Sequence, residues 1–297
     1  MSADVPPPDE PAPPFPAGFR SVVTARLAAG GYSVADWEPS GVNVRPPGGG
    51  DEQYIGLANL YRRAKAAPPD EWPELIDGFL GRLAQAVSAP DIPHDLNTVA
   101  DRLRPRLGRP FDKRAAHPWG IPLPGTGLEI TLVVDFPHTM AFVTDEMLKR
   151  SRTRGEDLLD VAVENLRNAT PADFFDRASP DHDIYLGHTG DSYDAARALI
   201  VEELMPDAPA GFWVAIPSRD ELAVWPVSFP AIKDVHGLHL FAVENYREHA
   251  YPITDDVFWV WQGVWHPFIA LKDGDSVIDP PELFIEALQA LEGPKPE

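Results

Sequence analysis

Along LEITLVVDF, residues 128–136, Leu128, Ile130, Leu132, Val134 and Phe136 alternate with Glu129, Thr131, Val133 and Asp135. A period of two over this run predicts a strand with one buried face and one more polar face. A second strand through Met140 to Val143 pairs with it across the turn at Pro137-His138. Upstream, Phe19, Val22, Val23 and Leu27 share one face of a helix that Gly30-Gly31 ends. Strands over 32–37, 42–45 and 53–55 follow, joined by the Glu38-Pro39-Ser40-Gly41 reversal and the Gly48-Gly49-Gly50 loop. Helices are predicted over 56–66 and 69–87, the second with Ile76, Phe79, Leu80 and Leu83 at helical spacing. Leu159, Ala162, Val163 and Leu166 stripe another helix, whose first turn carries Glu156 and Asp157 at the positive end of its dipole. Downstream, GFWVAIP and LAVWPV flank the loop Ser218-Arg219-Asp220-Glu221, and VFWVW and VWHPFIAL flank Gln262-Gly263.

Strands joined through short loops, with helices between the pairs, point to an α+β class: mixed or antiparallel sheets with helices packed on one face, in two lobes. Five segments are expected. Residues 1–18 form a disordered proline-rich tail, 19–88 a small α+β lobe, 89–127 a connector, 128–272 the main α+β lobe, and 273–297 an extension with a short helix. The connector reading rests on the density of proline and charge over 88–127, with one short helix near Asn97 to Leu103.

Charge narrows the partners. The 46 acidic against 25 basic residues leave a net charge of -21, which repels phosphate backbones and anionic lipid headgroups at long range. Nucleic acid and membrane are therefore excluded as expected partners. The one basic run, DRLRPRLGRP with Arg102, Arg104, Arg106 and Arg109, lacks the interleaved aromatics that stack on bases and is read as a charged helix end and linker. Cysteine is absent, which removes disulfides, thiolate metal sites and cysteine nucleophiles. Without a basic, apolar leader or a membrane-length apolar run, the expected location is cytoplasmic.

Three stretches could carry chemistry. Gly190-Asp191-Ser192 resembles the nucleophile motif of one esterase class, yet it lies late in the chain and no Asp-x-x-His follows it. It reads instead as a helix start, with Asp191 at the N-cap and Asp194 in the first turn. His236 and His239, with Glu244 and His249 downstream, form the best metal-like grouping, but Gly237 interrupts the pairing, so neither a metal site nor a cofactor is expected. In FWVWQGVWHPF both sides of a hairpin carry large apolar groups, so both faces are expected to be covered.

The order of MAFVTDEML, VENLRNATPADFF, GDSYDAARALIVEEL, FWVAIPSRDELAVWPV and YPITDDVFWVW resembles that of the YtpQ-like bacterial family, from about Phe19 to Leu271. Asn165-Leu166-Arg167 and Tyr193-Asp194-Ala195-Ala196-Arg197 are the most family-like pieces. The resemblance implies a fold and no catalytic activity; it marks Asn165, Arg167, Asp194 and Arg197 as candidate binding residues. Asp194 and Arg197, three apart, are also placed to form an exposed ion pair. The expected function is a non-enzymatic module that binds an unidentified protein or small molecule. The alternative is a hydrolase or metal-dependent enzyme using Ser192 or His236, His239 and Glu244.

Overall fold

The computed structural model describes residues 15–50, 52–87, 92–111, 118–137, 139–180, 182–205, 207–289 and 291. The chain divides into two compact units, Met1–Pro90 and Asp91–Glu297. Both are α+β, and every sheet is antiparallel.

In the smaller unit α1 (Ala17–Ala29) leads into a three-stranded sheet of β1 (Ser33–Glu38), β2 (Gly41–Arg45) and β3 (Gln53–Gly56), followed by α2 (Ala58–Lys65) and α3 (Trp72–Val87). Phe19, Val23 and Leu27 of α1 meet Val42 and Val44 of β2, Ile55 of β3 and Ile76 of α3 in one core. Of the expected disordered tail, 1–14 lies outside the described residues. Phe15 is buried against Phe19, Trp37 and Tyr61, and α1 begins two residues later, so the packed fold starts earlier than proline content suggested. An aromatic ring withdrawn from water here outweighs the extended preference of its proline neighbours.

The larger unit opens with a 3-10 helix, Leu96–Arg102, followed by β4 (Leu103–Gly108), β5 (Gly120–Leu123), β6 (Leu128–Phe136) and β7 (Thr139–Phe142). β4 pairs along one side of β6, while β5 and β7 pair with its other side. The connector expected over 89–127 is thus a correction: its described residues include the 3-10 helix and two strands of this sheet, β4 and β5. Proline misled because Pro105 faces the core at a strand position where its side chain, alternating with arginines, fits the pleat. Helices α4 (Asp145–Ser151) and α5 (Gly155–Ala169) pack on Leu103, Leu132 and Val134 through Leu148, Leu158 and Ala162.

Next come β8 (Phe175–Arg177), β9 (Tyr185–Gly187), a second 3-10 helix over Ala195–Ile200, α6 (Val201–Leu204), β10 (Phe212–Ala215) and β11 (Leu222–Pro226). After α7 (Phe229–Ile232) and α8 (His236–Glu248), β12 (Val257–Trp261), β13 (Val264–Lys272), β14 (Asp275–Ile278) and α9 (Leu283–Gln289) complete the chain's described elements. Seven strands run in the order β14-β13-β12-β10-β11-β9-β8. On one face Trp213, Trp225 and Trp259 pack with Leu238 of α8 and Phe284 of α9. On the other, Phe212, Val214, Phe258 and Val260 meet Ala195 and Ala198 of the 3-10 helix and Leu107 and Leu128 of the smaller sheet. Both faces of the aromatic hairpin are therefore covered. The described part of the expected extension over 273–297 is likewise part of the fold, since β14 pairs with β13 and Phe284 sits in the core; 290 and 292–297 lie outside the described residues.

Gly211 turns the chain into β10 with φ 77°, and a side chain there would run into the Val260 carbonyl. Gly211→Ala should therefore lose about 2 kcal/mol or more of stability, read from the midpoint of urea unfolding.

Candidate functional site

Arg197 is completely buried, as is Asp194 three residues before it. The Arg197 guanidinium donates to both Asp191 oxygens at 3.0 and 2.6 Å, to Asp194 Oδ1 at 3.1 Å and to Thr170 Oγ1 at 3.1 Å. It also lies 4.9 Å from the centre of the Phe174 ring. Asp194 turns back to accept the Thr189 and Gly190 N–H groups at 2.9 and 3.0 Å and the Thr189 hydroxyl at 2.7 Å. Left-handed backbone at Gly190 (φ 74°) and Ser192 (φ 76°) wraps the loop around the guanidinium.

This corrects two expectations. The Asp194–Arg197 pair forms but is not exposed, because Ala195, Ala196 and Ala198 draw the whole segment into the core. Nor does Asp191 cap the helix: it accepts the Tyr193 N–H at 2.8 Å, two residues on, and its remaining reach goes to Arg197. The helix is also a 3-10 turn before one short α-turn. Among the described residues, no imidazole lies within hydrogen-bonding distance of the Ser192 hydroxyl; the nearest histidine in sequence, His188, places Nδ1 2.7 Å from the Asp220 carbonyl.

The other two candidates sit on α5. Asn165 donates to the Ala100 and Leu103 carbonyls at 2.7 and 3.1 Å, fastening α5 to the start of β4. Arg167 is half-exposed and paired with Glu164 and Glu203, the latter at 2.8 Å from Nη2, which ties α5 to α6. Only Asp194 and Arg197 are in contact; all four side chains are joints between elements.

The histidines do not converge. His239 on α8 is buried with Nδ1 2.8 Å from Ser276 Oγ, while Glu244 on the same helix is exposed. Burial lowers the His239 pKa, opposed by Asp255 and reinforced by His236. His249 Nδ1 is 2.6 Å from Glu221, which also accepts from Ser218 at 3.0 Å. That order leaves a carboxylate between hydroxyl and imidazole, so the imidazole does not touch the serine it would have to deprotonate. Among the described residues, no group of three or more such side chains could hold a metal ion, and no helix is long and apolar enough to cross a membrane.

A different cluster emerges on the larger unit. Because Leu103, Pro105 and Leu107 of β4 turn inward, Arg104 and Arg106 share the opposite face with Asp135 of β6 and Met140 and Phe142 of β7. Within the basic run, Arg102 ends the 3-10 helix as expected, but Arg104 and Arg106 are on a strand and not in a linker. Arg106 is half-buried; its Nη1 donates to Met140 Sδ at 3.3 Å, its guanidinium lies 5.6 Å from the Phe142 ring centre, and among the described residues no carboxylate comes within 4.0 Å. Burial lowers its pKa, with the like charge of Arg219 adding to the effect and Tyr193, Asp220 and Tyr251 opposing it.

Arg219, in the β10–β11 loop, is held by Asp220 at 2.8 and 2.9 Å and lies 3.7 Å over the Tyr251 ring. Its carbonyl accepts the Ala195 N–H at 3.1 Å, linking this loop to the Arg197 lock. Tyr193 packs against Val133 and Ala196 with its hydroxyl buried and turned to the Asp135 carboxylate. Burial and the neighbouring Asp135 carboxylate push its phenol pKa up, while Arg106 and Arg104 pull it down. Sequence reasoning missed this group because Arg106 and Tyr193 are 87 positions apart and only β6 brings their elements together.

Elsewhere, a groove of about 350 Å³ on the smaller unit is lined by Arg63, Glu71, Glu74, Leu75, Gly78 and Arg82, whose charges cancel. No family model matches this chain, and no curated protein or solved structure matches it.

Removing Arg197 strands Asp194 in the core, so Arg197→Met should cost about 3–5 kcal/mol of unfolding free energy, measured by urea denaturation. Burial opposes ionisation of Asp191, yet Arg197, the Tyr193 N–H and Thr189 together hold its pKa below the ordinary value. A depressed folded pKa adds stability that is complete above the unfolded pKa of about 4 and disappears as pH falls through the folded one. The stability gap between the parent and Asp191→Asn should thus be constant above about pH 5 and shrink on further acidification.

Proposed function

We propose that this protein is a cytoplasmic binding protein that takes a partner or small ligand, without converting it, on the arginine-bearing face of its larger unit. One observation carries the reading: Arg106 is a half-buried cation with no carboxylate partner among the described residues, in a chain of 46 acidic residues. A guanidinium partly withdrawn from water loses hydration that only an acceptor restores, and a thioether sulfur is a weak acceptor. An anionic ligand supplies what the fold does not. The carboxylates nearest Ser192 in sequence are committed to Arg197 and to backbone, which favours binding over nucleophilic catalysis. The resemblance to the YtpQ-like family adds a fold expectation to this reading and no activity.

The test is a panel of anions, from acetate and phosphate to polyglutamate, titrated into the full chain and followed by amide ¹H-¹⁵N shifts. At least one member should move the amides of residues 104–107 and 139–142 saturably and be recovered unchanged. A panel that moves none of them, or recovery of a converted compound, would overturn the reading.

A further inference from the structure

We infer that His239 is an acid-sensitive latch, which fastens β14 and α9 to the seven-stranded sheet and loosens them when its imidazole takes up a proton. The side chain is completely buried on α8. Its polar partner is Ser276 of β14, with Nδ1 2.8 Å from the hydroxyl oxygen. Nε2 is buried as well and, among the described residues, has no hydrogen-bond partner. An imidazolium carries two N–H donors. Ser276 satisfies one of them, and the other is left on a buried cation without an acceptor.

The groups around the ring do not repair this. Burial disfavours the cation most; Asp255, before β12, favours it without outweighing burial, and His236, whose ring centre is 6.3 Å away on α8, adds like charge when protonated. Asp256 turns instead to the Thr254 hydroxyl at 2.8 Å. The sheet beneath α8 presents Trp213, Val257 and Phe268, and α9 presents Phe284 and Ala287, none of them ionisable. Asp273 and Asp275 around the β13–β14 turn and Glu282 and Glu286 at α9 are exposed, and Lys272 pairs with Asp279 at the surface.

The segment that the latch holds is weakly anchored otherwise. β14 lies at the edge of the sheet, pairs with β13, and has no buried residue. α9 is held by Phe284 and Ala287, while Leu283 and Ile285 are exposed. Segments with so little buried surface are the first to open. Opening also uncovers rings, because Phe284 lies 5.2 Å from Trp259 and 4.8 Å from Phe268. The direction in pH follows from linkage. In the open state the imidazole regains an ordinary value of about 6.5 and takes up a proton that the closed state refuses. Closure therefore weakens as pH falls below about 6.5 and stops weakening once pH passes the lower closed-state value.

The experiment measures amide hydrogen exchange of the full chain at about pH 7.5 and about pH 5.5, corrected for intrinsic rates, and follows the His239 ring by ¹H-¹³C NMR across the same range. Protection of residues 275–278 and 283–289 should fall about 5-fold or more on acidification, while that of α5 changes less. In His239→Asn, which keeps a polar atom at the Nδ1 position and takes up no proton, the fall should vanish. In His236→Asn it should persist. The His239 ring should titrate below about 6.5. No fall, a fall shared equally by α5, a fall undiminished in His239→Asn, or a ring titrating at or above about 6.5 would each overturn the latch. The ring measurement uses the parent alone and decides the matter even if His239→Asn does not fold.

Discussion

A guanidinium taken out of water must recover in the protein what it loses in hydration, and Arg197 is the point at which this chain meets that demand. The effective penalty for burying one ion is several kcal/mol. It is offset here by two carboxylates, a threonine hydroxyl and an aromatic face, drawn from Thr170, Phe174, Asp191 and Asp194. These partners precede Arg197 in sequence, so satisfying it ties the end of α5 and the loop over 189–194 to one point. The loop has no freedom to relax while the cation stays buried. Its geometry, with two left-handed residues, follows from the need to present two carboxylates to one group.

The consequences extend outward from that lock. Tyr193 lies between the two aspartates, and its ring is forced onto Val133 of β6 because its neighbours on both sides are committed to Arg197. Ala195, next in line, donates to the Arg219 carbonyl and so positions the β10–β11 loop. The arginine-bearing face of the smaller sheet is thus bordered by residues whose places are set by a side chain that never reaches it. Loosening the lock would disturb that face without touching any of its charges.

Much of this fold was legible in the sequence. The β6 alternation, the stripes of α1 and α5 and the paired strands around residues 218–221 and 262–263 all appear where their periodicity put them. What failed to show were contacts between distant segments. Proline and arginine at alternate positions made β4 look like a linker, because its core-facing residues are seen as apolar only once β6 supplies the surface they cover. The depth of Arg197 was equally hidden: Asp-x-x-Arg spacing is the same on a solvated helix and in a core, and only the surrounding alanines of Ala195, Ala196 and Ala198 hint at close approach.

The net charge of -21 and the arginine face are reconciled by range. A surplus of acidic residues spread over the surface acts through solvent and is screened beyond about 8 Å at physiological ionic strength. A half-buried guanidinium acts at contact distance, where hydrogen-bond geometry and local desolvation outweigh a diffuse field. Acidic residues elsewhere therefore do not neutralise Arg106; they act mainly on the approach of an anion, by slowing it and disfavouring polyanions such as nucleic acid. On the proposed reading, a surface of this kind favours ligands compact enough to present one or two charges at a single point. Strand alternation makes the arrangement possible: Leu103, Pro105 and Leu107 anchor β4 in the core, and the arginines between them are held on the opposite face at fixed spacing, with little freedom to seek carboxylates at a distance.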